Sequence, residues 1–364
     1  MNIKMKCDIV IPVWNQPEFT RDCVDSVLKN TTDIDYRIIL IDNASSKETK
    51  DYLEGLKPSL GQKMLLVRNE NNIGFVRAAN QGIRLSDSPY VCLLNNDAIT
   101  TSSWLGEMMR VAESSPIVGL VNPSSNTLGQ KPRINPTLHL EGFPMLSQKG
   151  WHRKPDKKMP IEEYARVMKK DPGAWEEIGS AIGFCMLIKR TLIDKIGIFD
   201  EIYGMGNFED TDYSRRAIKE GFLCVRAKSA YVYHREGTSF GRDRAFDENF
   251  ERNRQIYEFR WGKRRWIAYI LEPTEEYILN RFNKDAIKSA RNGFWVWSFS
   301  KNHLDLPRHS NIIAAEFNNY FYVRTLFKIL FKKKKFGEIH VTDERLAKIL
   351  EGLSFIHKAN VYLY

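Results

Sequence analysis

The stretch Tyr90 to Ala98, YVCLLNNDA, constrains this chain most, because five apolar residues of buried-strand character stop abruptly at Asn95, Asn96 and Asp97. A run this short and this apolar belongs inside a sheet covered on both faces. Amides and a carboxylate at its carboxyl end stand where open α/β sheets bind their ligands. Earlier runs repeat the pattern: CDIVIPV stops at Trp14 and Asn15, YRIILID at Asp42 and Asn43, and MLLV leads to Asn71 and Asn72. Helical spacing separates them, with Phe19, Cys23, Val24, Val27 and Leu28 on one face, then Leu53 and Leu56 behind a Ser45 or Ser46 cap, then Phe75, Ala78, Ala79 and Gly82 after Gly74. Strand and helix in alternation predict right-handed crossovers and a mainly parallel sheet flanked by helices, with all these polar ends on one rim. Any single pair is explained by the turn preference of Asn and Asp. Successive strands ending this way point to a shared ligand pocket.

Further on, IVGLV reads as a strand and Asn122 to Trp175 as an irregular, Pro- and Lys-rich region. Such a segment is either an acceptor-site loop, with Trp151, His152 and Tyr164 as sugar-stacking residues, or a plain surface insertion. The strand SAIGFCMLI follows, and then a Gly-rich loop runs into Glu209-Asp210-Thr211-Asp212 at a helix start. Acids in a first turn often only favour the helix dipole, and Asp212 fits that role. Crowded carboxylates repel unless a proton or cation is shared, so Glu209 and Asp210 are candidates for chemistry. His234 ends a strand of aromatic and small residues, a place where histidine is commonly structural. Its company with Asp97 and Asp210 makes it a candidate too.

Composition narrows the partners. A net charge of +10 calls for an acidic one: a nucleotide-sugar, a lipid pyrophosphate, an anionic membrane face or nucleic acid. No signature of the common RNA- or DNA-binding modules is present, so nucleic acid is not expected. Cys7, Cys23, Cys92, Cys185 and Cys224 are scattered in apolar runs and read as buried thiols of a reducing compartment. The short apolar run behind MNIKMK lacks a cleavage pattern, and no run reaches the ~18 apolar residues of a membrane span. The expected location is the cytoplasm, with the inner face of the membrane as a place of weak peripheral contact.

Taken together, CDIVIPVWNQPEFTRDCVDSVLKNT, IDNAS, NNIGFVRAANQGI, LLNNDA, GSAIGFCMLIKR, GIFDEIYGMGNFEDTDYSRRA and YHREGTSFG resemble the family 2 glycosyltransferases in content and order, over roughly Asp8 to Trp261. The resemblance extends to rhamnosyltransferase-like members. It implies the A-type glycosyltransferase (GT-A) fold, Rossmann-like, and an inverting transfer of a sugar from a nucleoside-diphosphate donor, UDP- or dTDP-linked, to a glycan or lipid-linked glycan in surface polysaccharide assembly. It implies that Pro12, Val13, Trp14 and Asn15 line the base pocket, that Asp42 and Asn43 read base and ribose, and that Asn72, Gly74, Arg77, Ala78 and Asn80 lie along the nucleotide. The family's D-x-D motif falls on Asn95-Asn96-Asp97, which keeps only its last carboxylate, with Asn95 and Asn96 counted among the nucleotide-sugar contacts. Asp97 and His234 would hold Mg²⁺ or Mn²⁺, Asp210 would serve as the base and Glu209 would orient the acceptor. The thinned motif also admits an idle sugar-nucleotide-binding module, and the basic C-terminal unit admits a scaffold.

This reading divides the chain into a catalytic domain, 1–271, with a nucleotide half to about 121 and an acceptor half from about 122, and an extension, 272–364. The extension reads as strand FWVWSF, helix FNNYFYVRTLFKILF, strand EIHV, helix DERLAKILEGLSFIH with Leu346, Ile349, Leu350 and Leu353 on one face, and strand ANVYLY. That is a small α/β unit, and a stop inside an apolar strand suits a fragment of a longer protein. Within it YFYVRTLFKILFKKKKF fits packing in the unit first and an interfacial membrane helix second.

Overall fold

The computed structural model describes residues 6–126, 161–169, 171–235, 244–272 and 275–364. They form two compact units, one comprising Met1–Trp175 and Ala181–Arg254, the other Glu176–Ser180 and Gln255–Tyr364.

The first unit is built on strands β1 (Lys6–Val13), β2 (Asp35–Asp42), β3 (Met64–Arg68), β4 (Tyr90–Leu94), β5 (Ala98–Thr100) and β6 (Val118–Ser124), a short β7 (Trp175–Glu177), and then β8 (Cys185–Lys189) and β9 (Leu223–His234). Their order across the sheet is β3-β2-β1-β4-β8-β6-β9-β5. Strand β1 pairs in parallel with β2 and β4, while β8 lies antiparallel between β4 and β6, and β6 pairs in parallel with β9. Consequently β1, β2, β3, β4, β6 and β9 end at one edge, and β8 begins there. The α/β, mainly parallel architecture expected from the alternating pattern is what forms. Its apolar strands are buried because helices cover them: Ile9 and Ile11 pack with Cys23, Val24 and Val27 of the helix Pro17–Asn30 in one continuous core.

Local details differ from the sequence reading. SAIGFCMLI becomes strand only from Cys185, because Ile182 and Cys185 are engaged by the Asn122 side chain and the preceding residues turn. The late strand ending at His234 is the twelve-residue β9. Ser46 holds the cap position of the helix Lys47–Gly55 but makes no side-chain cap; Ser45 instead accepts the Asn15 amide.

The second unit is a five-stranded, wholly parallel sheet of β10 (Trp266–Ile270), β11 (Trp295–Ser300), β12 (Ile312–Glu316), β13 (Glu338–Val341) and β14 (Asn360–Leu363), ordered β12-β11-β10-β13-β14. This is a doubly wound topology, with the order reversing beside β10. Alternate residues of β10 feed opposite cores. Ile267 and Tyr269 pack on Ile278, Phe282, Ala286 and Ala290 of the helix Glu276–Arg291. Ala268 and Ile270 face the layer holding Phe321, Ile329, Leu346 and Leu350. The sequence reading lacked β10, β12 and the helix Glu276–Arg291, and it placed Ile349 on a buried face where it is 50% exposed.

Candidate active site

Register brings the polar strand ends together. Val13 is the parallel partner of Asp42, and the Asn43 amide donates to the Val13 carbonyl at 2.8 Å. Past β1, Asn15 adopts a left-handed φ of 56°, and its Oδ1 accepts the Ser46 amide at 2.7 Å. Pro12 and Val13 are buried in the strand, whereas Trp14 is 40% exposed at the rim. Asp42 is buried, bridged to Arg68, and accepts the Ser45 amide. Asn43 ties the loops: its Nδ2 donates to Asn72 Oδ1 at 2.6 Å, and its Oδ1 accepts from Ile73 at 3.0 Å and Asn69 at 3.2 Å. At Gly74, φ is +84° and a Cβ would lie 2.9 Å from the Gly204 carbonyl oxygen, so the backbone requires glycine there.

The helix Phe75–Arg84 carries two of the expected residues away from open solvent or into pairs. Asn80 is fully buried and spends its amide on Phe199 and Glu201. Arg77 lies 3.4 Å from Glu201, which Arg84 also meets at 3.0 Å, and these contacts hold the Glu201 carboxyl below its ordinary range. Ala78, on the same helix, is core.

Asn95, Asn96 and Asp97 follow β4 as a turn into β5, whose pairing sets Ala98 opposite His234. Asp97 Oδ1 and His234 Nε2 stand 3.0 Å apart, and Asn95 Nδ2 lies 3.3 Å from the same ring nitrogen. Asn96 turns away and donates to Thr20 at 3.0 Å. Asn95 Oδ1 is buried with no hydrogen-bond partner among the described residues. A carboxylate, an imidazole and an unengaged amide oxygen on adjoining strand ends fit a divalent cation that takes its other ligands from phosphate oxygens.

The acid pair opens the helix Glu209–Lys219. Asp210 Oδ2 accepts from the Gly183 amide at 3.0 Å, and Oδ1 accepts from Thr211 N at 2.6 Å and Thr211 Oγ1 at 3.1 Å. Burial raises the Asp210 pKa and these hydrogen bonds oppose it. Glu209 is pushed up to about 8, first by burial and then by the Asp210 charge. Asp212 serves structure instead, pairing with Arg216 at 3.0 Å and accepting from Tyr203.

The two groups meet at one turn. Beyond Gly183, which holds Asp210, the Phe184 ring stacks on His234 at 4.9 Å, and the Phe184 carbonyl accepts the Asn95 amide at 2.8 Å. Asn122 clamps this turn from the end of β6, and Asn126 exchanges two hydrogen bonds with the His234 backbone. Sequence reasoning missed Gly183, Phe184, Asn122, Asn126 and Asn69. The asparagines at the end of β6 repeat the signal used for the earlier strands, but the irregular stretch beyond hid them. Trp151, His152 and the GTSFG segment lie outside the described residues, and Tyr164 falls on the helix Ile161–Met168.

A family profile described as "Glycosyl transferase family 2" matches residues 8–197. The chain belongs to glycosyltransferase family 2. The match covers β1 to β8 and the N-N-D turn, and Asp210 and His234 stand on the elements that follow. This family 2 glycosyltransferase is 26% identical over 223 residues to the N-acetylglucosaminyl-diphospho-decaprenol L-rhamnosyltransferase of Mycobacterium tuberculosis, covering 57% of this chain and 69% of that protein. It is 28% identical over 132 residues to the poly(ribitol-phosphate) beta-glucosyltransferase of Bacillus spizizenii, covering 36% of this chain and 20% of that one. Against the first curated relatives it spans only 27%, 20% and 44% of their lengths. Among solved structures, residues 1–349 of S. aureus TarS in complex with UDP-GlcNAc align at a TM-score of 0.48 and 14% identity, over 77% of this chain and 73% of that one. Among the described residues no helix is long and apolar enough to cross a membrane, and no group of three or more His, Cys, Asp or Glu is placed to hold a metal.

Proposed function

We propose that this glycosyltransferase catalyses an inverting, metal-dependent transfer of a sugar from a UDP- or dTDP-sugar to a hydroxyl of a glycan or lipid-linked glycan, in cell-surface polysaccharide assembly at the cytoplasmic face. The observation that carries it is the turn at Gly183 and Phe184, which holds Asp210 through one residue and the Asp97–His234–Asn95 group through the next. Catalysis is assigned to the first unit, Met1–Trp175 and Ala181–Arg254, in place of the 1–271 expected from the sequence. Trp14, Asn15, Asp42 and Asn43 receive the nucleoside, with Pro12 and Val13 as its backbone floor, and Asn72, Gly74, Arg77 and Asn80 shape the loop beside it. Asn95, Asp97 and His234 would hold Mg²⁺ or Mn²⁺, which when bound supplies positive charge for the departing diphosphate, with Asn96 anchoring the turn.

Asp210 accepts the proton of the acceptor hydroxyl, and the oxygen attacks the anomeric carbon from the side opposite the nucleoside diphosphate, which leaves with the bonding pair. Backbone donors fix its carboxylate, so the base is oriented before the acceptor arrives. Burial and the neighbouring Asp210 charge favour the protonated form of Glu209, which limits a second negative charge beside the base and assigns Glu209 to orienting the acceptor. The names of the M. tuberculosis and B. spizizenii relatives, a lipid-diphosphate and a poly(ribitol-phosphate) acceptor, support the acceptor class. An idle binding module is not favoured, because the acid pair and its hydrogen bonds are intact.

The test is nucleotide release from UDP-, dTDP- and GDP-sugars, with and without Mn²⁺, by the wild type and Asp97→Ala. Release from one donor that requires both metal and Asp97 is expected. Release that is indifferent to both removes the metal site.

A further inference from the structure

The second unit carries a surface that its own fold does not use. On the helix Phe321–Phe331, Phe321, Thr325 and Ile329 point into the core. A helix laid on a parallel sheet normally shows charged residues on its other side. Here Val323, Phe327 and Phe331 are 66, 64 and 68% exposed at one-turn spacing, the last two in ring contact at 4.7 Å, and Tyr320 continues the stripe. The short helix Ser354–His357 packs beside it and adds Phe355, 74% exposed. Contiguous exposed apolar surface of this kind marks an interaction site.

Charge says what covers it. From Phe317 to Gly337 the chain has six basic residues, Arg324, Lys328 and Lys332 to Lys335, and no acidic one. They flank the stripe and continue beyond its end. Lys332 Nζ sits 4.1 Å from the Trp297 ring centre and 4.7 Å from that of Trp266, while Lys328 Nζ lies 5.5 Å from Trp297, so cation–π contacts hold the basic segment against the sheet. A second copy docking here would bring two lysine runs together without compensating acids. An anionic bilayer accepts both halves of the surface, phosphates meeting the lysines while the phenylalanines enter the acyl boundary.

We propose that the Phe321–Phe331 helix and the Lys332–Lys335 run form a docking surface for an anionic lipid bilayer. The inference rests on the second unit alone and is independent of the reaction proposed above. Each basic residue near an anionic leaflet multiplies partitioning by roughly fivefold. Flotation of the full chain with vesicles of phosphatidylcholine alone, or with about one-third phosphatidylglycerol, reads the surface directly. Binding is expected only to the anionic vesicles and should fall steeply with salt. Phe327→Ser with Phe331→Ser, or Lys333→Gln with Lys334→Gln and Lys335→Gln, should each weaken it at least ~10-fold while leaving nucleotide release and the thermal melt unchanged. Equal binding to neutral vesicles, no binding to either, or insensitivity to both sets of substitutions overturns the proposal. So would a dimer that the phenylalanine variant dissociates without any vesicle binding, or preferential capture by single-stranded RNA that outcompetes the vesicles.

Discussion

The two sheets obey the same topological rule and differ in what stands at their carboxyl edges. In the first unit the edge gathers amides and carboxylates that cross-link β1, β2, β4, β6, β8 and β9, yet leave Asn95 Oδ1 and the Glu209 Oε2 atom buried without hydrogen-bond partners among the described residues. In the second, the ends of β10 and β13 are tied together: the Thr342 hydroxyl accepts the Glu272 amide and donates to its carbonyl, both at 2.9 Å, and Asp343 caps the next helix through the Leu346 amide. Beside that tie Glu272, Glu275, Glu276, Leu279, Asn302 and Leu304 line a cavity of about 510 Å³, and the exposed apolar surface sits on a helix face. A parallel sheet therefore supplies a place for a site, and only the residues at its strand ends decide whether the place is used.

Substituting Asp210 tests the contrast most strongly. Asp210→Asn is expected to lower turnover at least ~10²-fold with little change in donor affinity by calorimetry, because it removes the proposed base and keeps the shape. Near-normal turnover in the folded variant would take the reaction away from this edge. In the second unit, Ile329→Ala should cost about 2–5 kcal/mol of that unit's stability through the cavity it opens, seen as an earlier melt with unchanged turnover. A parallel loss of activity would show that the units are energetically joined. Gly74→Ala meets the Gly204 carbonyl at 2.9 Å from a positive φ, and it should raise the donor KM roughly tenfold with a smaller effect on kcat.

The smallest effect concerns pH. Glu209 binds its proton more tightly in the fold, at about 8 against an ordinary 4.5, so its contribution is fully present below pH 4.5 and is lost as pH rises through 8. Glu209→Gln should remove that loss, giving a melting temperature that changes less than the wild type's between pH 6 and 9. Identical pH profiles would mean that Glu209 is ionised throughout.

How much of this was readable beforehand follows from the kind of signal each part leaves. The strands ending at Asn15, Asp42 and Asn95 announce themselves because buried parallel strands are apolar on both faces and stop on polar residues. Strand β10 did not, since WIAYI stands as a lone apolar run between the basic GKRR and the polar EPTEE, beyond the reach of the family likeness, and β12 offers only the apolar run IIAA ahead of Glu316. In the site, Asp97, His234 and Asp210 were named with the help of a family likeness, because residues spread over 137 positions leave no periodic trace. Gly183 and Phe184 act mainly through main-chain groups, and composition does not report those. Asn80 shows the reverse: its residue type suggests a ligand contact, and the fold employs it as an internal brace to Phe199.

Holding Asp210 and the Asp97–His234–Asn95 group through neighbouring residues of one turn, Gly183 and Phe184, has an engineering consequence. The two anchors, Gly183 and Phe184, are one peptide bond apart, a spacing that covalent geometry fixes and that does not drift when loops are exchanged. On the proposed roles, acceptor preference is expected to be rewritable in the surrounding segments while the two anchors stay in place, and an insertion within 182–185 is expected to be the change that compensating side chains repair least.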